Sequence, residues 1–163
     1  MHDFEGITPT VANIRPTSRG EINIVSNDSR EYPKIKMNYL STEDDRYVAA
    51  LGLKIIRKIM LDTKTFKKYE PEEYRPGIHI EDNEELVKAA SDYAQTIFHP
   101  VGTCKMGNDN HSVVNDELKV HGIENLRVID ASIMPNITSG NTNAPTIMIA
   151  EKGSDMILKS NNV

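Results

Sequence analysis

The run His99-Pro100-Val101-Gly102-Thr103-Cys104-Lys105-Met106-Gly107 limits most strongly what this chain can fold into. Ahead of it, Leu86, Ala90, Tyr93 and Ile97 share one helical face, and Asn83 has the chemistry of an N-cap. The spacing predicts a helix that delivers the chain into His99-Pro100 and stops there. Proline cannot continue the hydrogen-bond ladder, and it pushes the residue before it towards extended geometry. His99 therefore stands at an enforced break, before a glycine-containing turn. Such an arrangement can aim a side chain into a cavity.

A second turn-rich run, Ser139-Gly140-Asn141-Thr142-Asn143-Ala144-Pro145-Thr146, reads as a helix start. Pro145 falls in the first turn, where its missing N–H costs little. A helix is expected over residues 144–158, with Ile147, Ala150, Ser154 and Ile157 on its packed face, and residues 135–143 are expected to be loop. Between the two runs, residues 126–130 (Leu-Arg-Val-Ile-Asp) read as a strand, and residues 112–115 and 117–120 as shorter strand fragments.

Upstream, residues 1–20 carry Gly6, Pro9, Pro16 and Gly20 and read as irregular. Residues 20–25 alternate polar and apolar, which suits a half-buried strand. Asn27-Asp28-Ser29 is turn chemistry, and residues 32–40 can hold a short extended segment. Ser41 to Asp44 is a helix-start signature, and Val48, Leu51, Ile55 and Ile59 follow at helical spacing, so a helix is expected over residues 42–61. Residues 62–82, charged and containing Pro71, Pro76 and Gly77, read as loop.

The composition, 38% apolar and 26% charged over 163 residues, is that of a globular chain able to bury a core. A net charge of −5 gives no basic footprint for nucleic acid. No apolar run approaches the ~20 residues of a membrane span. The acidic opening Met1-His2-Asp3-Phe4-Glu5 is unlike a signal peptide; localisation is otherwise unread. The single cysteine, Cys104, excludes an internal disulfide framework and a multi-thiolate zinc site, and its position in a tight loop favours packing over nucleophilic work. His2, His79, His111 and His121 have no ligand-like spacing and read as surface or loop residues, so no metal site is assigned. The three N-x-S/T sequons at Asn27, Asn110 and Asn136 are read as chance. No G-x-G-x-x-G occurs; the nine glycines are scattered, and none opens a helix after a strand in the dinucleotide-binding pattern.

The histidine run and the asparagine run together, with the 126–130 segment between them, resemble the C-terminal part of the glucose-methanol-choline (GMC) family of flavin-dependent oxidoreductases. The resemblance extends from about Arg15 to Ile157, is dense from His99 onward, and looks closest to insect glucose-dehydrogenase-like members. In that family the dinucleotide fingerprint lies near the N-terminus. The resemblance therefore implies a C-terminal fragment of a larger α/β flavoenzyme, partnered by an N-terminal FAD-binding portion. It implies an α+β fold. Residues 1–98 would belong to the antiparallel-sheet substrate domain with its helices, and residues 99–163 would hold the catalytic loop and the strand and helix that return to the FAD domain. Without sheet partners that strand would be an orphan. Part of the apolar face of the last helix would be exposed, and the isolated chain is expected to be poorly soluble.

The resemblance also implies roles. His99 occupies the family's catalytic-histidine position, and Asn141 the second position, which is histidine in some members and asparagine in others. Asn143 is the one alternative to Asn141. Oxidising an alcohol needs a proton acceptor, a task suited to histidine with its ordinary pKa of about 6.5. The developing alkoxide needs a donor, which an asparagine amide supplies. Asn141 and Thr142, at a helix N-terminus whose dipole favours negative charge on reduced flavin, are implied FAD contacts. Asp130 and Ala131 resemble a second flavin-contacting stretch, although Asp130 reads equally well as an ordinary strand-end acid. The implied substrate is a small-molecule alcohol or sugar. Two other readings are an inactive remnant folding as a small α+β interaction domain, and a hydrolase using His99 with Cys104; the latter lacks a third orienting group.

Overall fold

The structure, a computed structural model, describes residues 3–160; His2 lies outside them. The described residues form two compact units, one of residues 3–19 and 38–95, the other of residues 20–37 and 96–160.

The first unit is built on α1 (Glu43–Asp62). Thr42 caps it, its side chain accepting from the Asp45 N–H, and Glu43, Asp44 and Asp45 complement the positive end of the helix dipole. Asp45 is itself buried, only 5% exposed. Its carboxylate accepts from the backbone N–H groups of Thr17 (2.9 Å) and Ser18 (2.8 Å) and from Asn13 Nδ2 (3.1 Å), so the irregular N-terminal segment is fastened to the start of α1. The segment after α1 is not all loop: α2 (Lys64–Lys67) adds one short helical turn. The chain beyond it is held to α1 by a bidentate ion pair, Arg57 Nε–Glu73 Oε2 at 2.6 Å and Arg57 Nη2–Glu73 Oε1 at 2.9 Å. Arg57 also donates to the carbonyls of Gly77 and Ile80.

α3 (Asn83–Tyr93) differs from the expected helix at both ends. Asp82, not Asn83, is the cap, accepting from Glu84 N (2.8 Å) and Glu85 N (3.2 Å). The helix stops at Tyr93 instead of running to His99. Packing explains the early stop. Leu86 and Ala89 are buried, whereas Tyr93, Ile97 and Phe98 are exposed, so another turn would have no apolar face to hold it.

In the second unit β1 (Glu21–Asn23) and β2 (Lys34–Lys36) pair antiparallel, with Ile22 opposite Ile35. The alternation gave the strand but not its burial: Ile22 and Ile35 are both exposed. The expected strand at 126–130 is reduced to one isolated bridge, Lys119 to Arg127. Leu118 (φ 64°) and Asn125 (φ 58°) both adopt left-handed backbone, which a continuous ladder does not admit. The fragments at 112–115 and 117–120 likewise contribute isolated bridges alone: Met106 to Val114, Val114 to Val120, and the Lys119 side of the bridge to Arg127. The core beneath them is Val114, Leu118, Ile133, Met134 and Ile149, flanked by Val101, Val128, Ile129 and Met156.

α4 (Asn143–Ser160) closes that core, but with a different face from the expected one. Ile149 and Gly153 are buried and Met156 half-buried, while Ile147, Ala150 and Ser154 are exposed; of the expected residues Ile157 alone is half-buried. The helix carries apolar residues on two faces, so periodicity could not choose between them. Gly153 decides it. A Cβ there would lie 2.5 Å from Ile129 Cγ2, so only glycine lets the helix approach this closely.

Candidate active site

The histidine run is a loop fastened along its length to the core of the second unit. Cys104 N donates to Ser132 O (3.0 Å) and Met106 N to Ile133 O (2.8 Å). Val113 N returns a bond to Lys105 O (2.8 Å), and Lys105 N closes a turn on Gly102 O (3.2 Å). Gly102 has φ +88°, a left-handed conformation that favours glycine, and a Cβ there would sit 3.3 Å from Met134 O. Val101 packs against the core. The carbonyls that receive this loop belong to a 3₁₀ turn, Ala131–Ile133. Its cap is Asp130, whose side chain accepts from Ser132 N (2.8 Å) and from the Ser132 hydroxyl. Asp130 is therefore not a strand-end acid, since no strand forms there; it shapes the turn on which the histidine loop rests.

His99 itself sits half-buried after Phe98, a non-glycine residue at φ 64° and 80% exposed. Left-handed backbone at such a residue costs on the order of 1–3 kcal/mol and persists where the surroundings impose it. Here the Phe98 N–H donates to Thr96 Oγ1 (3.0 Å), and the next residue, His99, is held through its ring. Ser139, two residues before Asn141, is left-handed as well (φ 63°).

The two sequence-predicted residues meet. Asn141 Nδ2 lies 3.1 Å from His99 Nε2. On the other side of the ring, Thr142 Oγ1 lies 2.9 Å from His99 Nδ1, and the Thr142 N–H points at the same atom from 3.5 Å. Asn141 is exposed and Thr142 buried, 8% exposed. Thr142 immediately precedes α4, and its carbonyl accepts from Thr146 N (3.0 Å) and Thr146 Oγ1 (2.6 Å). The helix thus fixes the residue that touches the imidazole. The N–H groups of the first α4 turn have no partner within the helix, so the dipole's positive end lies beside the pair.

This arrangement sets an imidazole nitrogen and an amide side by side on an exposed edge, with a rigid helix terminus behind them. It can bind one oxygen atom through two groups: one able to take a proton, the other able to donate a hydrogen bond. The donor set suits the polar edge of an isoalloxazine or the hydroxyl of a small alcohol.

Other singled-out residues have contacts or exposure of their own. Cys104 is half-buried and takes part in the loop through its backbone N–H. His79, His111 and His121 are exposed, and His121 Nε2 contacts Gly107 O at 2.9 Å. Lys105 pairs with Asp109 (2.9 Å); the Lys105 ammonium beside it and the His111 N–H hold the Asp109 carboxyl down at about 2. Thr142 as a partner of His99 was not foreseen from sequence. The weak signal was a β-branched hydroxyl residue directly before a helix start, which more often caps its own helix.

Comparison with known proteins gives a consistent picture. Residues 16–150 match the C-terminal family model of the GMC oxidoreductases. An oxygen-dependent choline dehydrogenase of Proteus mirabilis is 48% identical over 155 residues, covering 95% of this chain and 28% of the relative. Among solved structures, an Aspergillus oryzae formate oxidase studied for its FAD modification superposes with a TM-score of 0.82 at 31% identity, over 91% of this chain and 26% of its own. An FAD-dependent oxidoreductase from Chaetomium thermophilum gives a TM-score of 0.86 at 28% identity, over 92% and 26%. The chain thus spans about a quarter of the length of the proteins it matches.

Proposed function

Because this chain belongs to the GMC oxidoreductase family, as a match to its C-terminal part, we propose that it is the catalytic C-terminal portion of an FAD-dependent enzyme that oxidises the CH–OH group of an alcohol. The observation that carries this reading is the 3.1 Å approach of Asn141 to His99 Nε2. The two side chains come from segments far apart in sequence, and the family resemblance pairs the same two. In this reading residues 1–98 are part of the substrate-binding domain, and residues 99–163 are the catalytic loop and the segment that returns to the FAD domain.

The chemistry divides between the two residues. His99 takes the hydroxyl proton at Nε2, and Asn141 donates to the oxygen as it gains negative charge. The carbinol carbon loses a hydride, so the alcohol becomes a carbonyl compound, with one proton left on His99 and two electrons passed on. A bound FAD supplies the acceptor for that hydride. Asn141, Thr142 and the start of α4, with Asp130 and Ala131, are the residues assigned to the flavin side. The substrate is a small alcohol, and choline heads the panel to be tried, since the Proteus mirabilis relative is named a choline dehydrogenase. Glucose belongs in the same panel on the strength of the resemblance to glucose-dehydrogenase-like members.

The test is stopped-flow reduction of the FAD-loaded enzyme carrying this segment, at saturating alcohol. His99→Ala should slow flavin reduction by about 10²–10⁴-fold, the usual worth of a positioned proton acceptor. A wild-type rate of flavin reduction in the variant would assign the proton to another group and return His99 to a structural role.

A further inference from the structure

We infer that Thr142 is a positioning residue for His99: its hydroxyl accepts the Nδ1–H of the imidazole and so holds the ring with Nε2 unprotonated and turned to Asn141. The inference rests on the reading of His99 as proton acceptor and names what presets it for that task.

The argument is one of donor accounting. A neutral imidazole has one N–H and one lone pair. Asn141 Nδ2, 3.1 Å from Nε2, can only donate, so Nε2 is the acceptor and the ring proton sits on Nδ1. The atom facing Nδ1 at 2.9 Å is Thr142 Oγ1, which has lone pairs to receive it. The Thr142 N–H opposes this arrangement, because it also points at Nδ1 and can only donate. At 3.5 Å that contact is at the limit of a hydrogen bond, and the 2.9 Å contact outweighs it.

Three further features make Thr142 suited to the task. It is 8% exposed, so water has little access to replace the hydroxyl. Its carbonyl is anchored by Thr146 N (3.0 Å) and Thr146 Oγ1 (2.6 Å), so its backbone moves only with α4. Its β-branched side chain has few rotamers, which fixes the oxygen once the backbone is fixed. Selection of a histidine tautomer through the nitrogen opposite the working one is a general device.

The experiment reads the tautomer directly and needs no flavin and no turnover. The full chain is labelled with ¹⁵N, and long-range ¹H–¹⁵N spectra of its imidazoles are recorded at a pH where His99 is neutral, with His99→Gln used to assign the signals. The wild type should show His99 protonated at Nδ1 and bare at Nε2. Thr142→Ser, which keeps the hydroxyl, should preserve that pattern. Thr142→Val, of similar shape but with no acceptor, should move the proton to Nε2, where the Thr142 N–H and a turned Asn141 amide favour it. A wild-type ring protonated at Nε2 overturns the inference, as does a Thr142→Val spectrum identical to wild type. If Thr142→Val loses the dispersed amide spectrum of the folded chain, the wild-type and Thr142→Ser tautomers still decide. The outcome is separable from the activity reading: an Nδ1–H tautomer alongside a wild-type rate of flavin reduction in His99→Ala would leave the Thr142 pairing standing and remove the proton-acceptor role.

Discussion

His99 is held from both sides of its ring, by Asn141 at 3.1 Å and Thr142 at 2.9 Å, and the proposed function gives these two neighbours different work. Asn141 is exposed, and in that proposal it meets the substrate oxygen. Asn141→Ala in the FAD-loaded enzyme should therefore lower the rate of flavin reduction by about 10²-fold, the worth of one donor to a developing oxyanion at roughly 3 kcal/mol. Rapid-mixing kinetics on the variant measure it, and a rate equal to wild type would move the donor role to Asn143 or elsewhere. Cys104→Ala should reduce flavin at nearly the wild-type rate, since Cys104 serves its loop through the bond from its N–H to Ser132 O, which alanine keeps. A loss beyond tenfold would revive a chemical role for the thiol. At this scale the sequence was readable where chemistry and context coincide: a histidine before Pro100 and an asparagine before a helix start. The Thr142 contact was not readable, because it joins positions 43 residues apart and depends on where α4 places its first turn.

Element ends were legible where a cap and a helical period agree. α1 falls within a residue of its expected ends, although Leu51, Ile55 and Ile59 of the expected stripe are exposed and Ala50 and Gly52 are buried instead. α4 was placed correctly in sequence but rotated in space, because both of its faces are apolar and the deciding contact, Gly153 against Ile129, is tertiary. That contact can be tested. In an isolated helix Gly→Ala stabilises by about 1 kcal/mol. Here a Cβ would meet Ile129 Cγ2 at 2.5 Å, an atom that cannot swing away without rotating the whole side chain. Gly153→Ala should therefore destabilise by roughly 1–3 kcal/mol in chemical denaturation. Adding Ile129→Ala should recover part of the loss, and additive losses in the double variant would show that the two residues do not meet.

The first unit makes an acid-side prediction. The Arg57 guanidinium, hydrogen-bonded to Glu73, outweighs the effect of burial and holds that carboxyl below the ordinary range. At Asp45 burial pushes the carboxyl up, but the bonds from Ser18 and Thr17 together prevail and its pKa is lowered. Both groups bind protons more weakly folded than unfolded. Their stabilisation is complete above the unfolded carboxylate pKa and is lost as pH falls through the lowered folded values. Denaturation midpoints followed downwards from neutral pH should drop across that acid window, and Glu73→Gln should flatten the drop. Asp45→Ala should cost about 3 kcal/mol at neutral pH by leaving the Thr17 and Ser18 N–H groups without their acceptor.

For the whole molecule the question is how much of a flavoenzyme these residues contain. They hold the pair proposed to handle the alcohol oxygen and the helix terminus proposed to face the flavin. They contain no glycine-rich loop to cradle a pyrophosphate. Phosphate contacts and the dipole behind them supply much of the grip on a dinucleotide, so the residues present should orient a flavin edge without retaining the cofactor. The exposed apolar side chains fit the same reading. Ile147, Met148 and Leu158 of α4 are each more than half exposed, as are Ile24 and Ile35 of the hairpin segment, and these are surfaces that a larger enzyme would cover. The chain incubated with excess FAD and passed through gel filtration should therefore elute colourless, with no flavin absorbance under the protein peak. Multi-angle light scattering on the same peak should show self-association that Ile147→Lys with Leu158→Lys reduces. Stoichiometric flavin retained after the column would mean that the chain carries its own cofactor grip, built from residues other than a glycine loop. The assignment of His99, Asn141 and the start of α4 as one edge of a divided site would then give way to a site complete within these 163 residues.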